Sequence, residues 1–211
     1  MDKRIKRLLK SMKVDVLWYF LRSRIYINKI AVPVVKDLSF QQPLYDALAR
    51  AGVELVALTP RNLADNPISE RALIYDDPDR LKTAREYLER GYRGVALVRG
   101  LEICGDIWYA AAENQATRKI HPDLKWLKME CGFDEVYAFD MYLRPDKRGH
   151  NLAGLLQGGA LYEIWQQGFA RARGYYWADN IPALWVHRTL KWQELKRVKV
   201  TRFMALHFSI N

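Results

Sequence analysis

The sequence predicts a mixed α/β fold of the α+β kind, in which a single, mostly antiparallel sheet carries helices on both faces. Runs of β-branched and aromatic residues alternate along the chain with segments of helical periodicity. Two apolar runs, at residues 92–98 and 103–111, flank a short turn that contains Gly100, which predicts an antiparallel hairpin. A strand at residues 136–143 is followed by a polar, glycine-containing loop and a long helix pattern.

The first part of the chain has the pattern of an extension ahead of the main domain. Residues 2–29 are predicted to form one or two amphipathic helices, because apolar residues recur there at three- and four-residue spacing. Residues 30–35 form a β-branched strand, and Pro33 predicts an edge position because proline cannot donate to a ladder. We therefore predict a helical and edge-strand extension at residues 1–50 and the main domain at residues 51–211.

Start and stop signals define the remaining elements. A helix at residues 78–90 begins with an Asp-Pro capping signal. Gly105 predicts a bulge or a close backbone approach in the hairpin. The long helix after the loop is expected to reach about Arg171 and to be terminated by Gly174. The other predicted elements are helices at residues 43–50 and 181–190, a short helix within residues 113–127, and strands at residues 53–59, 175–178 and 198–208.

Composition indicates a globular protein, because 211 residues of which half are hydrophobic supply a sizeable core. Nothing resembles a signal peptide, so Cys104 and Cys131 are expected to be free thiols in the cytoplasm. The apolar run at residues 14–21 is too short for a bilayer, and no membrane span is expected. Four scattered histidines and two isolated cysteines predict no metal site.

The net charge of +10 is concentrated in two basic patches. Residues 1–29 hold nine Lys/Arg against two Asp/Glu, and residues 188–202 hold six against one, which leaves −2 for the remainder. Such patches suit nucleic acid, an anionic membrane surface, an acidic carrier protein or a phosphorylated cofactor. The alternative is a solvated surface that lysines keep soluble.

The loop segment LRPDKRGHNLAGLL has the composition of a phosphate-binding corner. Amides at a helix start lack intrahelical partners, and the helix dipole adds positive charge there. Gly149 has no Cβ, Asn151 tolerates the left-handed backbone conformation, and the small side chain of Ala153 leaves space at the start of the helix. Lys147 and Arg148 add charge. The alternative is a plain turn that opens a helix.

This loop resembles the acetyl-CoA loop of the GNAT superfamily of N-acetyltransferases, in which a strand ending in V-x-P precedes R-G-x-G-x-G/A. The match places six residues in the order of that motif: Leu143, Pro145, Arg148, Gly149, Asn151 and Ala153. Asn151 departs from the motif, which has glycine at that position.

A second segment, NIPALWVHRTLKW, resembles the pattern N-x-x-A-x-x-L-Y-x-K-L-G-F of the same family. Asn180, Ala183 and Leu190 match it. His187 stands where tyrosine is common, and Lys191 stands where the family has glycine. The two motifs occur in the family's order and are joined by a helix and a strand.

The resemblance implies an N-acyltransferase that moves an acetyl or other acyl group from a CoA thioester to an amine on a small molecule or a protein. It implies a GNAT-like domain at residues 51–211, with acetyl-CoA as co-substrate and no metal. It also implies that a set of cofactor-binding residues lies along the strand, the loop and the next helix: Met141, Tyr142, Leu143, Arg148, Gly149, His150, Asn151, Leu152, Ala153 and Asn180.

Two residues are predicted to transfer protons. His187 aligns with the family's tyrosine and would protonate the leaving thiolate; the alternative is a histidine that packs in the core. Asp140 would act as base through a water, although a strand carboxylate is as often paired with an arginine. Other candidate bases on or near the hairpin are Glu102, Asp106 and Glu113.

Two further functions stay open at this point. In an N-acyl amino acid synthase of the same fold, the basic patches would dock an acidic acyl carrier protein. In a non-catalytic module, they would bind nucleic acid. The N-terminal helices would suit a homodimer contact or a membrane-surface contact.

Overall fold

A sheet of nine strands is the centre of the computed structural model, which describes residues 26–39, 44–63, 72–111, 121–203 and 206–210. The strands are β1 (Tyr26–Asp37), β2 (Glu54–Leu58), β3 (Arg93–Arg99), β4 (Glu102–Ala111), β5 (Glu135–Leu143), β6 (Arg171–Trp177), β7 (Gln193–Glu194), β8 (Val198–Phe203) and β9 (Leu206–Ile210). The helices in the described ranges are α1 (Tyr45–Arg50), α2 (Pro78–Glu89), α3 (Pro122–Leu127), α4 (Leu152–Gln166) and α5 (Ile181–Thr189).

The strand order is β2-β3-β4-β5-β6-β1-β8-β9, and β7 pairs with β1. Every pairing is antiparallel except that of β5 with β6. Apolar residues of α1, α4 and α5 pack on one face of the sheet, whereas those of α2 and α3 pack on the other. The predicted class, a mostly antiparallel sheet with helices on both faces, is confirmed.

The parallel pair β5 and β6 stays together over only three residues. Glu135, Val136 and Tyr137 pair with Arg171, Ala172 and Arg173, and the ladder then ends. Beyond that point β6 continues beside β1, while β5 continues beside β4. The sheet therefore opens between β5 and β6 on the side where β5 leads into the loop at residues 144–151.

Strand β1 is an internal strand, so its predicted edge position is wrong. It has β6 on one side and β8 and β7 on the other. The carbonyl of Pro33 accepts the amide of Leu195, in the short connection where β7 has ended and β8 has not begun. Because the nitrogen and carbonyl of a strand residue face the same side, the missing N–H of Pro33 faces this interruption and removes no ladder bond.

Three other predictions fail at element boundaries. Helix α4 ends at Gln166 rather than near Arg171, and Gly168 follows it with a positive φ of 89°. Gly174, predicted as the terminator, lies within β6, where a Cβ would come 3.1 Å from the carbonyl oxygen of Ala138. Residues 26–29 belong to β1 and are not helical, and the helices predicted for residues 2–25 lie outside the described residues.

Helix α2, the hairpin and the cysteines follow the prediction. Asp77 caps α2, because its carboxylate accepts the amides of Asp79 and Arg80. Neither Cys104 nor Cys131 forms a disulfide. No helix in the described part of the chain is long and apolar enough to cross a membrane.

The close approach predicted at Gly105 is confirmed. The register of β3 against β4 shifts between Leu97 and Val98, so that Gly105 faces Leu97 while Val98 faces Ile103. A Cβ on Gly105 would lie 2.6 Å from the carbonyl oxygen of Tyr142 on β5. A main-chain atom cannot move aside as a flexible side chain does, so this position requires glycine.

We predict that Gly105→Ala lowers the free energy of unfolding by about 1–3 kcal/mol, because the methyl group forces β4 and β5 apart. Urea unfolding followed by circular dichroism measures this change. Gly132→Ala is the matched control, because the nearest atom to its Cβ is the end of the Asp134 side chain, at 3.2 Å. Equal losses in the two variants would contradict the prediction.

Candidate functional site

The loop between β5 and α4 contains three consecutive residues with positive φ. A 3-10 turn at Pro145–Lys147 comes first, and Gly149, His150 and Asn151 follow with φ of 101°, 49° and 57°. Asn151 thus adopts the left-handed conformation, which asparagine enters more readily than most residues that carry a Cβ.

The amides of this loop are largely unused by the protein. Among the described residues, no protein atom accepts the amides of Gly149, His150, Asn151, Ala153 and Gly154. A Cβ on Gly149 would meet nothing within 4 Å, so no other protein atom fills the space beside this residue. Several N–H groups at the positive end of a 15-residue helix form a site for an anion.

Leu152 contributes to this corner by packing. Its amide donates to the carbonyl of Gly149 at 3.1 Å, and its side chain is buried in the core. The amide that was predicted to face the cofactor is therefore already paired. Leu152 fixes the start of α4 and does not offer a donor.

A cleft of about 740 Å³ opens beside the loop. Four cationic side chains and one carboxylate line it: Arg50, Arg99, Lys147, Arg148 and Asp146. This excess of positive charge favours a polyanionic ligand. Arg50 and Arg99 come from α1 and from the end of β3, which are distant in sequence from the loop, and sequence reasoning did not identify them.

The end of β5 offers main-chain groups beside the cleft. The amide of Arg144 donates to the carbonyl of Cys104 on β4 at 3.0 Å. Because successive amides in a strand point to opposite sides, the amide of Leu143 points away from β4, toward the gap that β6 has left. Met141 and Leu143 pack their side chains against the core on the α4 face.

The second motif forms helix α5 and the turn that follows it. Asn180 caps α5, because its Oδ1 accepts the amide of Ala183 at 3.2 Å. Lys191, at the position of the family's glycine, has a φ of 57°. Trp192, at the position of the phenylalanine, is buried in the core.

His187 is held by two protein partners. Its Nδ1 lies 2.7 Å from the carbonyl oxygen of Ala183, so Nδ1 carries the proton of the neutral ring. Its Nε2 lies 3.3 Å from Nε2 of Gln157 and accepts that amide. Burial lowers the pKa of His187. Donation to a thiolate requires a second proton on this ring, and the assignment of His187 as proton donor stays a prediction.

Asp140 lies at a bulge of β5, with a φ of 44°. Phe139 faces Trp108 and Tyr142 faces Asp106, so that two residues of β5 oppose one residue of β4. The Oδ2 atom of Asp140 accepts Nη1 of Arg80 at 2.7 Å and the hydroxyl of Tyr87 at 2.8 Å. The alternative that the sequence left open, pairing with an arginine, is the arrangement in the structure.

The other candidate bases differ in exposure. Asp106 is fully buried and accepts Arg80, the hydroxyl of Tyr75 at 2.8 Å and Nε1 of Trp108 at 3.0 Å. Glu102 lies 3.1 Å from Nη1 of Arg144 and 3.7 Å from Nζ of Lys147, beside the loop. Glu113 lies outside the described residues. Asp106 therefore anchors an arginine and is closed to substrate.

In the described ranges, no group of three or more His, Cys, Asp or Glu side chains could hold a metal ion.

Similarity to known proteins is visible in structure but not in sequence. No protein-family model matches the chain, and no curated protein matches it. A GCN5-related glucosamine N-acetyltransferase region of a fungal multi-domain GH3 beta-N-acetylglucosaminidase matches with a TM-score of 0.58 and 11% identity, over 92% of this chain and 23% of its own.

Two further solved structures give the same result. A tandem GNAT protein from the clavulanic acid biosynthesis pathway has a TM-score of 0.54 and 16% identity, over 89% of this chain and 57% of its own. A putative GNAT acetyltransferase from Novosphingobium aromaticivorans has a TM-score of 0.50 and 12% identity, over 84% of this chain and 65% of its own.

The chain spans less than two thirds of the length of each of these three structures. At identities this low, a structural match shows a shared fold, and a substrate or partner cannot be transferred from one protein to the other. The resemblance inferred from the two motifs is confirmed at that level: the chain has the fold of the GNAT acetyltransferases.

Proposed function

We propose that the protein is an N-acyltransferase that transfers an acetyl group, or a related acyl group, from a CoA thioester to an amine. The observation that carries this proposal is a set of amides that no described protein atom accepts, beside a cation-lined cleft: those of Gly149, His150, Asn151, Ala153 and Gly154. A pyrophosphate satisfies both features at once, because its oxygens accept N–H groups and its charge suits the helix N-terminus.

We assign the pantetheine arm and the thioester of the donor to the edge of β5. The outward amide of Leu143 is available to a pantetheine carbonyl, since β6 no longer pairs with it. Asn180 uses its Oδ1 as a cap and retains its Nδ2 as a donor for the same arm. In this arrangement Met141 and Tyr142 border the thioester, at the bulge, and Arg148 and His150 border the phosphates.

The chemistry requires a neutral amine close to the thioester carbon. The ammonium group first loses a proton to a water molecule. Asp140 is our candidate for the base that accepts a proton from that water. The nitrogen lone pair then attacks the carbonyl carbon. The C–N bond forms, the C–S bond breaks with its electron pair on sulfur, and the second proton that nitrogen releases reaches the sulfur through Nε2 of His187, our candidate proton donor.

The other functions considered from sequence have less support. In the described residues no observation favours an acyl carrier protein as donor or nucleic acid as ligand. The cleft faces the loop amides rather than the residue 188–202 patch, because it is lined by α1, β3, the loop and α4.

We predict that Gly149→Glu abolishes binding of acetyl-CoA, which corresponds to a ~100-fold or greater rise in Kd, because a like charge then faces the phosphates. Isothermal titration measures this. Gly168→Glu is the matched control: Gly168 follows the other end of α4, has a positive φ of 89°, and also has open space around its Cβ.

Both variants strain a left-handed position, so only the site distinguishes them. Gly168→Glu should bind acetyl-CoA as the wild type does. If the intact wild type fails to bind acetyl-CoA, the proposed function is wrong.

We also predict a pH dependence of stability from His187. Above about pH 6.5 the ring is neutral in both the folded and unfolded chain and contributes nothing. Because burial lowers the pKa of His187 in the folded chain, the unfolded chain takes up a proton first as the pH falls, and the free energy of unfolding falls with it. His187→Gln should reduce the loss between about pH 7 and about pH 5.

Urea unfolding at the two pH values measures this loss. An identical loss in wild type and His187→Gln would contradict the prediction.

The same variant tests the predicted chemistry, because a fall in kcat of ~10²- to 10⁴-fold with unchanged Kd for acetyl-CoA would assign the proton-donor role to His187.

A further inference from the structure

The bulge of β5 is held by an arginine from a different element of the fold. Arg80 on α2 donates to Oδ2 of Asp140 at 2.7 Å and to the main-chain carbonyl of Asp140 at 3.2 Å. Its guanidinium also lies over the ring of Tyr142, 5.0 Å from the centroid. One side chain thus contacts the bulge residue through side chain and main chain, and also the residue two positions further on.

The guanidinium of Arg80 is held in place by Asp106 on β4. Its Nε donates to Oδ2 of Asp106 at 3.0 Å, and its Nη2 donates to Oδ1 of the same carboxylate. Asp106 is fully buried and Arg80 is 9% exposed. Burial alone would lower the pKa of Arg80, but the hydrogen bonds and charge of Asp106 raise it, so the guanidinium stays charged. A bidentate buried pair of this kind has one preferred geometry.

The charges of Arg80, Asp106 and Asp140 do not cancel. One arginine faces two carboxylates, and both oxygens of Asp106 are occupied by donors. Asp140 accepts two donors on Oδ2, whereas its Oδ1 accepts none among the described residues. The side chain of Asp140 is 34% exposed. A net negative charge is therefore presented at this oxygen, on the α2 face of the sheet.

Aromatic rings pack around Phe139, the neighbour of Asp140 in β5. Tyr87, which donates to Asp140, has its ring 5.3 Å from that of Phe139, and Tyr92 lies 5.0 Å from Phe139. The ring of His121 lies 4.2 Å from that of Phe139. Aromatic faces attract a cation and accommodate apolar groups. The surroundings of Asp140 suit a primary ammonium with an apolar body.

We infer that Arg80 is a positioning residue for acyl transfer, which sets the β5 bulge and the carboxylate of Asp140 so that Oδ1 receives the ammonium group of a small apolar amine. This inference rests on the proposed function and adds the acceptor class to it. Arg80 acts through Asp140, and it contacts neither the donor cleft nor α4.

The test measures initial rates of CoA release with acetyl-CoA and benzylamine, whose ammonium and ring match these two features. The variants are Arg80→Lys, Asp140→Asn and the double variant. Lysine keeps the charge but lacks the planar fork with which Arg80 pairs in a bidentate way with Asp106 while it also donates to Asp140. We expect Arg80→Lys to lower kcat by ~10- to 100-fold in the wild-type background, and by less than ~3-fold when Asp140 is already asparagine.

Arg85→Lys is the matched control on the same helix, because Arg85 donates through Nε and Nη2 to the carbonyl of Leu63, at 3.0 and 2.7 Å. Its kcat should equal that of the wild type. Circular dichroism at the assay temperature verifies that each variant is folded, and isothermal titration verifies that each binds acetyl-CoA.

Equal fold losses for Arg80→Lys in the two backgrounds would overturn the inference, because Arg80 would then act independently of Asp140 as a structural residue. It would also be overturned if the wild type binds acetyl-CoA but neither acetylates nor binds benzylamine. Loss of acetyl-CoA binding by the wild type is a different result, and it would remove the proposed function itself.

Discussion

The separation of β5 from β6 after Tyr137 is the constraint on which the rest of the site depends. Main-chain N–H and C=O groups inside a sheet need partners, and the open edge of β5 leaves the amide of Leu143 without a strand beside it. The end of the loop extends this shortage of partners to the start of α4, because no described protein atom accepts the amides of Gly149, His150 and Asn151. A ligand that runs along this edge and ends in a phosphate supplies the missing partners along its whole length.

A gap of this kind is stable only if the surrounding sheet is rigid. On the α4 face, the buried residues of α4 close one core against β1, β3 and β4. On the α2 face, the pair of Arg80 and Asp106 joins α2 to β4, and the bond to Asp140 extends it to β5. Removal of one partner of a buried ion pair is strongly destabilising, because the other charge stays buried without compensation. The network thus links the stability of α2 to the shape of the bulge.

The sequence predicted those parts of the site that local chemistry controls. The turn residues Gly149 and Asn151 and the close approach at Gly105 each follow from the conformational freedom of one residue. Contacts between distant segments were not predictable in this way. Asp140 and Arg80 are 60 positions apart, and nothing in either local pattern shows that they meet.

The same distinction explains the errors in the fold. Pro33 was assigned to an edge because proline interrupts a ladder, but the interruption occurs between two short partner strands, β7 and β8, and not at the border of the sheet. Gly174 was read as a helix terminator, although its role is to let β6 approach the carbonyl of Ala138. In both cases the residue's physical property was correctly identified, and only the tertiary partner was missing.

The absence of sequence matches beside clear structural ones follows from how the two motifs are built. At Asn151 and Lys191, the positions require a left-handed backbone, which glycine adopts most readily but which these residues also adopt here. A comparison by residue type counts each as a mismatch, although the backbone conformation at both positions is one that glycine also adopts. Because an anion site of this type is made of main-chain N–H groups, its side chains can diverge while its geometry is kept. The fold can therefore be shared at identities of 11–16%.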